Sequence, residues 1–190
     1  MNQREFIDFL KIIENLKCVT RHSWTSSGRQ ESVAEHSWRL AVMAMLCKSE
    51  YPELDTDKVI KMCLIHDFGE AITGDIPAFL KTEENENAEG VAVNSLLSTL
   101  PPLERTELAS LFDEMNALTT PEAKLYKALD NAEAIISHNE APLSSWIESE
   151  FDENLTYGTE NCGFSPWTKA LRAELKRDSL KKIEEKAYEG

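Results

Sequence analysis

His22, His36, His66 and His138 are the only four histidines among the 190 residues, and His66 is followed directly by Asp67. The pair closes an apolar run carrying Val59, Met62, Cys63 and Ile65, where two polar groups are disfavoured unless something compensates them. Neighbouring helical residues differ by about 100° around the axis, so an imidazole and carboxylate in sequence address one ion only at a helix crossing. Further ligands must then come from other helices. Asp130, inside ALDNAEAII, is a second carboxylate in apolar surroundings that a cation would compensate. By itself Asp130 reads equally as a residue on the solvent edge of its helix, and His36 as a core histidine with a satisfied hydrogen bond. Glu70 lies four residues beyond His66, on the same face if the helix persists that far.

Helical elements must position these groups. Phe6, Phe9, Leu10, Ile13 and Leu16 recur at three- and four-residue steps, which predicts an amphipathic helix over about 4–17. A loop through Arg21, Trp24 and Gly28 follows. Ser32 and Glu35 form a capping-box pattern that starts a second helix near Val33, with His36 in its first turns. Asp55 or Thr56 caps a third helix that runs into His66-Asp67 and stops at Gly69 or Gly74. Gly74-Asp75-Ile76-Pro77 reads as a turn. Helices are expected near 84–99 and 102–116, separated by Pro101-Pro102. Thr120-Pro121 opens a sixth helix through Ile136 with Asp130 in its middle, a short helix starts at Pro142, and Ser165-Pro166 begins a closing one. No stretch alternates well enough to demand a sheet. The expected fold is all-α: one domain over 1–190, with a core at about 20–140 and C-terminal helices at 142–188 packing on it.

Twenty basic against 34 acidic residues give a net charge of -14, which opposes binding to a nucleic acid polymer, where phosphate contacts dominate affinity. A small phosphate ester remains compatible, because one metal ion and a few local cations outweigh a diffuse negative field at close range. The N-terminal residues form neither a signal peptide nor a membrane span, so a cytoplasmic protein without a membrane partner is expected. Cys18, Cys47, Cys63 and Cys162 lack CxxC spacing and read as reduced, mostly packed thiols. Trp38, Trp146 and Trp167 are assigned to packing or an oligomer interface, and His138 and the run Glu83-Glu84-Asn85-Glu86 to solvent.

The order H...HD...D on three helices, within ESVAEHSWRLAVMA, CLIHDFGEAITGDIP and KLYKALDNAEA, resembles the HD-domain metal-dependent phosphohydrolases, and most of all their 5′-deoxynucleotidase branch. The resemblance implies His36, His66, Asp67 and Asp130 as the protein ligands of one divalent transition metal ion, whether Mn, Co, Fe, Ni or Zn. It implies Glu70 as the acid/base group, Asp75 as a second polar group at the reacting centre, Arg21 toward phosphate and Trp24 toward the sugar. Some relatives place the last two side by side, whereas here His22 and Ser23 intervene. The implied substrate is a small nucleotide, a deoxyribonucleoside monophosphate dephosphorylated at the 5′ position, and the implied assembly a homodimer. Two alternatives are a guanosine tetraphosphate hydrolase, which typically has an acidic residue where this chain has Ala71, and a catalytically silent metal- or nucleotide-binding signalling module, which would not need Glu70 and Asp75.

Overall fold

The computed structural model describes residues 1–189, including side chains except those of Phe79 and residues 186–189; Gly190, the end of the expected domain, lies outside the described residues. Ten α-helices and one two-stranded hairpin make up the described chain. The centre is a layer of α2 (Val33–Leu46), α3 (Thr56–Ile65) and α7 (Pro121–Glu140), with α2 packed on both others. Leu40, Ala44, Met62, Cys63, Leu125 and Leu129 fill the space between them and are essentially fully buried. Each of the three helices starts on a side chain that accepts a backbone N–H: Ser32 from Glu35, Asp55 from Lys58 and Thr120 from Ala123. These caps fix where each helix begins and hence the depth at which its polar residues lie.

Around this layer, α1 (Gln3–Ile13), α5 (Glu83–Ser98), α6 (Pro102–Ala117) and α10 (Pro166–Glu189) match the expected helices to within a few residues. The stretch expected to complete the first helix is instead a 3-10 turn, Glu14–Lys17. Beyond Pro142 the chain makes only a 3-10 turn, Leu143–Ser145, before two short helices that the apolar spacing did not reveal, α8 (Glu150–Thr156) and α9 (Thr159–Cys162).

Three further expectations are corrected. The segment read as a loop is an antiparallel hairpin of β1 (Thr20–Trp24) and β2 (Gln30–Ser32). Its strands are too short to show alternation, and its register is irregular, while Gly28 at φ +81° supplies the left-handed turn residue. Nor does the third helix persist to Glu70. It ends at Ile65, residues 66–69 form turns, and Glu70 opens a separate short helix, α4 (Glu70–Thr73). His138 is also not a solvent residue: its ring packs by Trp146 and lies 2.8 Å from Asn154 Oδ1. Among the described residues no helix is long and apolar enough to cross a membrane.

Candidate metal and catalytic centre

Three elements bring the sequence-predicted ligands together. The capping box at Ser32, with Arg29 clamped on Glu35 at 2.5 and 2.9 Å, sets the first turn of α2 and places His36 at 1% exposure. His66 is the C-terminal cap of α3, so the chain is already turning when it reaches Asp67. That turn lets consecutive side chains face one point, which a continued helix forbids. Asp130 comes from the middle of α7.

His36 Nε2 lies 3.2 Å from His66 Nε2, 3.2 Å from Asp130 Oδ1 and 3.9 Å from Asp67 Oδ2. His66 Nε2 lies 3.0 Å from Asp67 Oδ2 and 3.6 Å from Asp130 Oδ1. Ligand atoms about 2.1 Å from one metal ion stand roughly 3.0–3.4 Å from their neighbours and farther from an opposite ligand, so the spacing of His36, His66 and Asp67 fits a shared ion, with the Asp130 carboxylate beside both imidazoles.

The ring tautomers strengthen that fit. His36 Nδ1 faces the Glu133 carboxylate in a very short contact, and His66 Nδ1 lies 3.0 Å from the Cys63 carbonyl oxygen. Both partners only accept, so both Nδ1 atoms carry hydrogen and the neutral rings turn Nε2 lone pairs toward each other. With both rings neutral, two lone pairs and two carboxylates converge, an arrangement that positive charge, whether a proton or a metal ion, compensates. The electrostatics agree: burial disfavours a charged His66, yet Asp67 and Asp130 overcome it and push the pKa up to about 10. The set therefore stabilises positive charge, and its two imidazoles and two carboxylates suit a borderline divalent ion.

The remaining predicted residues are less uniformly placed. Glu70, Asp75 and Arg21 line a cavity of about 640 Å³ together with His36, His66, Asp67 and Asp130. Glu70 is 4% exposed, and its Oε2 has no hydrogen-bond partner. Burial, reinforced by Asp67 and Asp75, pushes its pKa up to about 9 against the opposing pull of Lys81. Asp75 follows Gly74, whose φ of +77° turns the backbone, and burial raises its pKa too, with Arg21 opposing. Arg21 is tied back by Nη1 to Glu31 at 2.9 Å and Glu133 at 3.3 Å. Trp24, at the end of β1, is half-buried and is not among the residues lining this cavity.

Sequence reading missed the groups that brace the ligands. Glu133, wholly buried, contacts His36, accepts from Arg39 Nε at 2.6 Å and Ser137 Oγ at 3.0 Å, and pairs with Arg21. Its position three residues beyond Asp130 on an apolar helix was the available signal. Lys127 also lines the cavity and donates to Asp130 Oδ2 at 2.8 Å, while Lys81 stands 3.8 Å from Glu70. Both cations occupy ordinary-looking positions on their elements, and only the fold aims them at the site.

Known proteins resemble this chain in sequence and in fold. Over 141 residues, 72% of this chain and 68% of the relative, the chain is 37% identical to human 5′-deoxynucleotidase HDDC2. It is 33% identical to the Schizosaccharomyces pombe 5′-deoxynucleotidase hdd1, covering 68% of each protein. A solved structure from Magnetospirillum magnetotacticum, called a predicted metal-dependent phosphohydrolase, superposes with a TM-score of 0.77 at 27% identity, over 94% of this chain and 93% of that one. The HD domain family matches residues 13–171, from the end of α1 into α10 and across all four predicted ligand positions, so this chain belongs to the HD domain family and is a metal-dependent phosphohydrolase.

Proposed function

We propose that this protein removes the 5′-phosphate from deoxyribonucleoside monophosphates, with His36, His66, Asp67 and Asp130 holding one divalent transition metal ion. The observation that carries this reading is the convergence of those four donors in a cavity that also holds Glu70, Asp75 and three cations, Arg21, Lys81 and Lys127. The naming of its relatives as 5′-deoxynucleotidases supports the substrate class.

A divalent ion held by His36, His66, Asp67 and Asp130 would supply a nucleophilic water and would offset charge on the phosphoryl oxygens. The chain's own groups do the rest. Arg21, Lys81 and Lys127 attract and orient the phosphate dianion against the net charge of -14. Glu70, whose raised pKa favours the protonated carboxyl, delivers its proton to the departing 5′-oxygen as the phosphorus–oxygen bond breaks, and the proton released by the water that adds to phosphorus restores it. Asp75 faces the sugar side of the reacting centre, and Trp24, outside the cavity lining, bears on the substrate through the hairpin that carries Arg21. The products are a deoxynucleoside and inorganic phosphate.

The ion is one of Mn, Co, Fe, Ni or Zn, which this ligand set accommodates in common. The protein works as a cytoplasmic homodimer on a small-molecule substrate and not on a nucleic acid polymer. Buried, unpaired thiols at Cys47, Cys63 and Cys162 support a reducing compartment. An apolar groove lined by Ile7, Leu10, Leu64 and the 65%-exposed Trp38 supports the dimer, which light scattering would test. The decisive experiment measures phosphate release from deoxy- and ribonucleoside monophosphates with Mn or Co added. Turnover of the deoxy series is expected. Activity on guanosine tetraphosphate alone, or metal binding without any turnover, would overturn the assignment in favour of a different hydrolase or a silent binding module.

A further inference from the structure

A second cavity, of about 350 Å³, adjoins the metal-ligand cavity and shares Arg21, Asp75, Ala78 and Tyr157 with it. From the nucleotidase reading above and the chemistry of its walls, we infer that this compartment receives the nucleobase, while the shared Asp75, Ala78 and Tyr157 flank the sugar.

Pro77, Ala134 and Ile135 give the compartment apolar surface, and Tyr157 adds an aromatic one. Besides the shared Arg21 and Asp75, polar groups come from His22, Ser23, His138, Glu153 and Asn154. Asn154 is 3% exposed, its Oδ1 faces His138 Nδ1 at 2.8 Å, and its Nδ2 has no hydrogen-bond partner. A buried amide with one end satisfied and the other unmet is disfavoured until an acceptor arrives. Apolar and aromatic surface beside polar groups that include an unmet amide donor matches a planar heterocycle, whose faces are apolar and whose rim carries ring nitrogens and carbonyl oxygens.

The wall is also built rigidly. Arg172, from α10, donates through Nη2 to the Asn154 carbonyl at 3.0 Å and through Nε to the Tyr157 carbonyl at 2.8 Å. Asn131 donates to the Tyr157 hydroxyl at 3.1 Å. Behind His138, Glu150 places Oε1 3.3 Å from its Nε2 and 3.0 Å from His22 Nε2, and Trp146 donates to the His138 carbonyl at 2.8 Å. Imidazole, amide and phenol are therefore held before any ligand enters, as selective recognition requires.

Calorimetry of the manganese-loaded protein with the four free 2′-deoxynucleosides, and separately with inorganic phosphate, tests this. At least one nucleoside is expected to bind, and Ala134→Phe, which fills the compartment, to weaken it about tenfold or more while metal content and phosphate affinity hold. Asn154→Asp, which keeps the shape and removes the Nδ2 donor, is expected to change the ranking among the bases. No binding of any nucleoside to the native protein, or unchanged nucleoside affinities in both variants, would overturn the inference. Phosphate release measured in parallel separates the two readings. Nucleoside binding that both variants impair, without turnover of any monophosphate, keeps the compartment and removes the nucleotidase; turnover with constants unaltered by either variant does the reverse.

Discussion

His36 and Glu70 line the same cavity and are treated oppositely by the fold. His36 is locked: Glu133 grips its Nδ1, and Arg21 and Arg39 in turn hold Glu133. Glu70, nearly as buried, keeps an unpartnered carboxylate oxygen and a displaced pKa. A ligand must be rigid before the ion arrives, whereas a proton carrier must keep an atom free for substrate. The metal side of the cavity is satisfied by the protein, and the chemical side is left for the substrate to satisfy.

The strongest way to break this contrast is to remove a ligand. Asp67→Ala is expected to abolish stoichiometric metal in elemental analysis and to reduce turnover to background. Metal at full occupancy in that variant would show that Asp67 is not a ligand. Glu70→Ala should keep the ion and lower kcat by about 10²–10⁴-fold, the usual range for a general acid. Loss of metal with it would move Glu70 into the coordination shell.

Glu133 probes the locked side. Glu133→Ala removes the buried carboxylate shared by His36, Arg21 and Arg39, although Arg21 keeps Glu31 and Arg39 keeps Glu140, and is expected to destabilise the fold by about 1–3 kcal/mol in urea titration. Glu133→Gln retains most of the shape but weakens the acceptor for His36, so metal affinity should fall by about 10–100-fold. Unchanged affinity would mean that His36 needs no brace. Chelation addresses the whole ligand set: at metal concentrations near 100 times Kd, its removal is expected to withdraw about 2.7 kcal/mol of stability, read as a lower Tm.

The smallest effect lies at the start of α2. Arg29 and the Ser32 backbone and hydroxyl stabilise ionised Glu35 and bring its pKa down to about 2. Because the folded value is depressed, the stabilisation is complete above the unfolded value near 4.5 and fades as pH falls through 2. Glu35→Gln should therefore lower Tm at pH 7, and the gap to the native protein should close in acid. A constant gap would assign the effect to packing.

The long helices were legible because their apolar residues repeat with the helical period and proline or a cap marks their starts, as at Pro102, Thr120-Pro121 and Ser165-Pro166. The hairpin was not, since three to five residues carry too little periodicity, and α8 and α9 are equally short. His36, His66, Asp67 and Asp130 were legible as a set only through their order, since each alone suits a bland role. Their bracing by Glu133 and Lys127 lay in plain view on α7 without a pattern to single it out.

Sequence alone determined the helical class and the donor chemistry, because periodicity, capping and residue type are local properties. Tertiary structure decided that α3 must end at Ile65 so that His66 and Asp67 face one point, that Glu133 and not solvent completes His36, and that Glu70 keeps a free oxygen. Those outcomes depend on distances between residues far apart in the chain, and such distances are set only when α2, α3 and α7 pack together.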